Sequence, residues 1–283
     1  MQKYCIVLPL LIKNNFEVFC NINMKLYSLF LNKNEVSKFI FLLKREHIDL
    51  LKDKLKQYDF NFEFIAEEDI VSTDRKGWYK QQVLKLAAND YVDTEYYLVL
   101  DDDLFLTKIL NYSDFFYNDK VIYSHEGWPD NSSNYSTNTL WWQRSCRMLN
   151  FDLNQIINSK TNMSVTPQFL KTEYVKGLIL DIKNTNNNLN WIEVFLNFEA
   201  TEFASYWVYL LKNNKNNQYI TYEKTLWEPN KKFNILEPSI SESNFKNIVK
   251  NALSYNPNYF FVIQSYLNYP VEYYKDLIYN FYK

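Results

Sequence analysis

Glycine, histidine and cysteine are all scarce in this 283-residue sequence, and each shortage closes off a class of chemistry. The three glycines, Gly77, Gly127 and Gly177, lie too far apart to form the G-x-G-x-x-G turn of a dinucleotide-binding fold or a phosphate-cradling P-loop. The two histidines, His47 and His125, cannot build an H-E-x-x-H zinc site, and no G-x-S-x-G elbow presents a serine nucleophile. Cys5, Cys20 and Cys146 form no C-x-x-C pair and are odd in number, so they read as reduced thiols packed as small hydrophobes.

Long apolar runs are missing too. No stretch approaches the roughly 18 consecutive apolar residues that a membrane span needs. The run Ile6 to Ile12 is interrupted by Pro9, stops at Lys13-Asn14-Asn15 and lacks a small-residue cleavage site; it makes a poor signal peptide and a good buried strand. A cytoplasmic protein is expected. The net charge of −2, with the 31 basic residues scattered, argues against nucleic acid as a partner.

Apolar and aromatic residues, by contrast, are plentiful at 47% and 18%, enough to bury a large core against the entropy of folding. The first hundred residues alternate β-rich runs, near 4–12, 38–44, 60–66 and 96–100, with helix-period segments at 48–55 and 80–88. That alternation predicts an α/β fold with a mostly parallel sheet flanked by helices. His47 reads as a partly exposed residue at a helix start. Further helices are expected at 137–149, 167–182, 200–212, 243–252 and 271–281, and short strands near 119–124, 219–223 and 259–264. The polar, aromatic stretch from Ser124 to Trp142 reads as a loop over a site. The chain is read as one domain, 1–283, with a nucleotide-binding half at 1–104 and an acceptor-binding half with helical elaboration at 105–283.

The strongest chemical signal is Tyr96-Tyr97-Leu98-Val99-Leu100-Asp101-Asp102-Asp103, an apolar strand running into three carboxylates. Ligands in open α/β sheets gather at the carboxyl ends of strands. Adjacent carboxylates beside apolar residues are costly unless a cation or hydrogen-bond donors compensate. On an extended chain Asp101 and Asp103 project to one side and could share a hard divalent cation, Mg2+ or Mn2+, while Asp102 points away. The competing reading is a strand end followed by a solvated acidic turn.

This junction, preceded by Gly77-Trp78-Tyr79-Lys80-Gln81-Gln82-Val83-Leu84-Lys85-Leu86, resembles the GT-A glycosyltransferases. Within them it is similar to a poorly characterised bacterial and viral group, DUF6492-like, that carries W-x-x-Q-Q-x-x-K-L before its D-x-D. Val165-Thr166-Pro167, Thr201-Glu202-Phe203-Ala204-Ser205-Tyr206 and Val262-Ile263-Gln264-Ser265 extend the resemblance over about residues 70–265. It implies a GT-A, Rossmann-like fold, a UDP- or GDP-sugar donor, a divalent cation bridging the donor's phosphates, and a glycan or other hydroxyl acceptor over the C-terminal half. One departure is that many such enzymes take a further metal ligand from a C-terminal histidine, and no histidine follows His125.

In that setting Asp101 and Asp103 are the expected metal ligands. Pro9, Leu10, Gln81, Gln82, Lys85 and Asp102 are expected around the donor, with Arg75 and Lys76 closing over phosphate from the preceding loop. For Lys85 the competing reading is a solvated helix lysine. Trp78, Trp128, Trp141 and Trp142 offer faces for stacking on sugars, although most aromatics in so aromatic a chain are core. Glu202, at the head of an amphipathic helix, is the candidate general base if configuration inverts and a donor-sugar ligand if it is retained. The rival reading is an acid favoured by the helix dipole; Glu199 and His125-Glu126 compete for the catalytic role. Two other functions fit less well. A haloacid-dehalogenase-like phosphatase would use the first aspartate as nucleophile, but Phe105 stands where its motif wants Thr or Val and the first strand ends at Pro9. The other is a non-catalytic carbohydrate-binding module on the same fold.

Overall fold

Three segments are apolar along nearly their whole length, as strands covered on both faces must be: Tyr4–Pro9 (β1), Val36–Leu43 (β2) and Tyr96–Val99 (β4). With Phe62–Ala66 (β3) and Gln168–Lys171 (β8) they form a five-stranded sheet in the order β3-β2-β1-β4-β8. The first four strands are parallel and β8 runs antiparallel to β4. The mostly parallel, helix-flanked α/β sheet expected from the sequence is therefore present. The computed structural model describes residues 2–12, 16–73, 75, 77–125, 137–159, 161–222, 225–228, 230–236, 240–267, 269–270 and 272–273.

Helices along the chain are Phe16–Val18 (α1), Met24–Phe30 (α2), Ile48–Leu55 (α3), Glu67–Ile70 (α4), Gly77–Ala87 (α5) and Thr137–Met148 (α6). They continue as Leu153–Ser159 (α7), Thr172–Thr185 (α8), Trp191–Phe198 (α9), Glu202–Lys212 (α10) and Glu242–Tyr255 (α11). Short strands Leu104–Leu106 (β5) and Phe260–Val262 (β10) pair antiparallel, and Phe116–Tyr117 (β6), Lys120–Ile122 (β7) and Tyr219–Ile220 (β9) form a third small sheet. Among the described residues no helix is long and apolar enough to cross a membrane.

Several boundaries differ from expectation. β1 stops at Pro9 rather than residue 12, although the Leu10 N–H still donates to the Leu42 carbonyl of β2 at 2.9 Å. The helix expected over 167–182 begins only at Thr172, because Gln168 to Lys171 pair with Val99 to Tyr96 and tertiary pairing overrides local helix preference. The helical run through residues 16–30, β5 and α9 were not anticipated. Of the helix expected at 271–281 only residues 272 and 273 are described, and these are helical; Trp128 in the covering loop lies outside the described residues, whereas the end of that stretch is α6. His47 sits in the short 3-10 turn before α3, as expected. All three cysteines are free and buried.

Two apolar clusters fix the sheet edge that matters. The main one spans both faces of the large sheet. The smaller gathers Val18, Ile22, Leu26, Phe105, Phe245 and Phe261 between the early helical run and α11. Phe105 stacks on Phe261 with ring centroids 5.0 Å apart, so it anchors β5 to β10 directly after the aspartates.

Candidate active site

The three aspartates sit where the chain leaves the sheet. Leu100 still donates to the Val7 carbonyl at 2.9 Å, then Asp102 and Asp103 make a turn into β5. Donors from both sides hold that turn. The buried Asn23 Nδ2 donates to the carbonyls of Asp102 at 3.0 Å and Leu104 at 2.8 Å, and Tyr27 Oη reaches Leu104 at 2.9 Å. From the far end of the chain, the Ile263 N–H meets the Asp103 carbonyl at 3.2 Å and the Ser265 N–H meets Asp103 Oδ2 at 3.1 Å.

The segment turns at Asp102 and Asp103 instead of continuing as extended strand, and Asp101 and Asp103 make different contacts. Asp101 faces Lys85 and Thr166; Asp103 faces the Ser265 amide. No group of three or more His, Cys, Asp or Glu side chains arranged to hold a metal occurs among the described residues. Burial first, then repulsion from Asp103 and Asp101, pushes Asp102 well above the usual carboxylate range. Burial and Asp101 push Asp103 up to about 7 against the opposing Ser265 amide.

Lys85 is not a solvated helix lysine: its side chain is 3% exposed. Its Nζ lies 2.9 Å from Asp101 Oδ1, 3.2 Å from Thr166 Oγ1 and 3.0 Å from Glu202 Oε1, and the Thr166 hydroxyl donates to Asp101 Oδ2. Burial alone would lower the proton affinity of Lys85, but the two carboxylates outweigh it and hold the ammonium above its ordinary range. Burial raises Glu202 and the lysine opposes that rise. The Gln82 carboxamide lies against the same carboxylate and donates to it with its nitrogen turned inward. Five residues from four separate segments thus close one network, which low dielectric strengthens when every member has a partner.

Helix α5 separates two cavities. One face of the helix, Gly77, Lys80, Gln81 and Leu84, lines a cavity of ≈ 200 Å³ shared with Pro9, Leu10, Leu42, Glu67 and Arg75. The adjoining face, Trp78, Gln82 and Lys85, lines a smaller one of ≈ 90 Å³ with Asp101, Thr166, Glu202 and Trp141. Trp78 stacks on Trp141 at 5.4 Å and 29°, forming an aromatic wall. The sequence grouped Gln82 and Lys85 with Pro9 and Leu10. Helical periodicity divides them, since positions 81 and 82 are rotated by about 100°.

Glu199, the competing acid, is held between Arg75 at 3.2 Å and Arg144 at 2.7 Å. His125 Nδ1 lies 3.0 Å from the Asn162 carbonyl. Lys76 and Glu126 lie outside the described residues. Sequence reasoning missed the Thr166 hydroxyl, the Ser265 amide and the pairing of Glu67 with Lys80. The Val165-Thr166-Pro167 turn was visible, but only tertiary contacts bring its hydroxyl to Asp101.

A family model described as a family of unknown function, DUF6492, matches residues 1–283. The chain belongs to the DUF6492 family. No curated protein sequence matches it. Among solved structures, this DUF6492 chain is similar to mouse xyloside xylosyltransferase 1 in its apo form, at 11% identity over 95% of this chain and 100% of that one, with a TM-score of 0.46. It is also similar to 4-diphosphocytidyl-2C-methyl-D-erythritol synthase from Anaerococcus prevotii, at 12% identity over 71% of this chain and 84% of that one, with a TM-score of 0.40.

Proposed function

We propose that the chain is a GT-A-type glycosyltransferase that moves a sugar from a UDP- or GDP-sugar to a hydroxyl of a glycan or other acceptor. The observation that carries this reading is the pair of cavities divided by α5, with Asp101 and the rest of the carboxylate turn at the end of β4. A cleft at strand ends with a few convergent polar groups suits a nucleotide, and the tryptophan-walled pocket beside it suits a sugar ring.

In this proposal Pro9, Leu10, Gln81 and Arg75 bind the nucleotide. Asp103 holds Mg2+ or Mn2+ with help from Asp101, and Asp102 lies on the donor side. The fit is chemical: such cations need only one or two protein carboxylates alongside phosphate and water oxygens, and the crowded pair Asp102 and Asp103 gains most from a cation. Bound there, the cation would offset charge on the departing diphosphate. Lys85 holds Asp101 and Glu202 apart at fixed positions. Glu202 accepts the acceptor hydroxyl's proton if configuration inverts, or hydrogen-bonds the donor sugar if it is retained.

The test is incubation of the full-length protein with UDP- and GDP-sugars, with Mn2+ or with EDTA, reading release of free nucleoside diphosphate. Cation-dependent release supports the reading. Release of inorganic phosphate from a phosphomonoester would favour a phosphatase, and sugar binding without turnover a carbohydrate-binding module.

A further inference from the structure

We infer that the donor's base is guanine, read by the paired side chains of Glu67 and Lys80. The inference rests on the nucleotide-sugar reading of the larger cavity and narrows it.

That cavity has apolar walls from Leu10, Leu42 and Leu84, which can cover the faces of a flat base. Its charged lining is specific in placement. Glu67 opens the short helix α4 immediately after β3, and Lys80 stands on the α5 face that turns toward the strand ends. Lys80 Nζ meets Glu67 Oε1 at 3.1 Å, with the side chains 20% and 13% exposed. Sheet and helix thus converge on a lysine ammonium beside a carboxylate, with Lys44 and Arg75 completing the charged lining.

In the proposed pose the base sets its edge against a donor and then two acceptors, the ammonium and the two oxygens of the carboxylate it holds. Lys80 has three N–H groups, so it can keep Glu67 and still donate to a base. The pairing edge of guanine runs acceptor, donor, donor: O6, N1–H and the N2 amino group. It complements the lining at all three places. Uracil matches the first two, O4 and N3–H, but its O2 would face a carboxylate oxygen, lone pair against lone pair. Adenine and cytosine set an amino group against the ammonium and a ring nitrogen acceptor against the carboxylate. A site built to satisfy polar groups rejects analogues that leave those groups unpaired more strongly than a hydrophobic pocket rejects a change of size.

Glu67→Gln supplies a sharp control. It replaces the second acceptor with an amide N–H donor, which is what O2 of uracil needs, so it should reverse the preference instead of merely weakening binding. A purely structural role for the Glu67–Lys80 pair would lower affinity for both nucleotides alike.

The experiment is calorimetric titration of GDP and of UDP into the full-length protein with Mn2+, for the native sequence and for Glu67→Gln. GDP should bind the native protein at least about tenfold more tightly than UDP, and Glu67→Gln should cut that ratio by about tenfold or more. The native comparison needs no variant to fold. UDP binding as tightly as GDP, or an unchanged ratio in Glu67→Gln, overturns the guanine assignment and leaves the transferase proposal standing. Binding of neither nucleotide overturns both.

Discussion

Lys85 and Glu202 are 117 residues apart in sequence, yet Nζ and Oε1 meet at 3.0 Å with both side chains sealed from solvent. The contact joins the helix before the carboxylate strand to the first turn of α10. Removing one partner of such a buried pair leaves a charge without compensation, which typically costs about 3–5 kcal/mol. Lys85→Met should therefore lose stability of that order in urea unfolding, whatever it does to ligand affinity. The double variant Lys85→Met with Glu202→Gln should lose clearly less than the sum of the single changes, since the two side chains act as one unit.

Glu202→Gln alone keeps size and hydrogen bonding but removes basicity. If Glu202 is the general base, transfer should fall about a hundred- to ten-thousandfold while nucleoside diphosphate affinity holds. Steady-state rates beside a binding isotherm decide it; an unchanged rate would reduce Glu202 to its structural contact with Lys85.

Cation removal provides a third test. EDTA should abolish turnover and excess Mn2+ restore it, while Asp103→Asn should lose the cation-dependent part of nucleotide binding. The same change also removes one of a set of crowded like charges. The metal-free Asp103→Asn protein should melt at a higher temperature than the native chain at pH 8, where repulsion is fullest. A lower melting temperature would mean that the Ser265 contact outweighs the repulsion.

Trp78 stacks on Trp141 beside the network and is 41% exposed, so it is available to a ligand. In Trp78→Ala the acceptor KM should rise several-fold with nucleotide affinity unchanged, as expected for loss of one aromatic face. Equal losses in both would place Trp78 in the framework rather than at the acceptor.

At the opposite edge of the sheet, Asp93 accepts from Cys5 Sγ at 3.2 Å, Ser37 Oγ at 3.0 Å and Lys38 Nζ at 3.2 Å. Burial alone would raise its proton affinity, but these donors outweigh burial and hold it below the ordinary 3.8. A depressed folded value gives stability that is full above the unfolded value and disappears as pH falls through the folded one. Asp93→Asn should thus lower the melting temperature at pH 7, and its deficit should shrink toward zero below about pH 3.

Strands β1, β2 and β4 were legible because each is apolar on both faces, and α3 and α5 because their apolar residues recur at helical spacing. The Asp101 cluster was legible because a carboxylate run at a strand end is locally conspicuous. What could not be read was long-range. Thr166 and Ser265 reach the aspartates only after the chain folds back; the segments around both were conspicuous, but nothing local tied either residue to the aspartates. For Lys85 the sequence left a donor contact and a solvated helix lysine both open, because its burial depends on α10, far along the sequence. The turn at Asp102 and Asp103 was not legible either, because Asn23 and Tyr27, which secure it, come from far earlier in the chain.

Neighbouring positions on α5 face different cavities. In under three turns, residues 77, 80, 81 and 84 address one chamber and 78, 82 and 85 the other. Substitutions at Gln81 and Gln82 can therefore drift independently, each constrained by its own cavity, despite adjacent codons. A one-residue insertion upstream in the helix has the opposite character. It would rotate the following residues by about 100° and turn the wrong side chains into both cavities at once, so this stretch should tolerate substitution far more readily than any change of length.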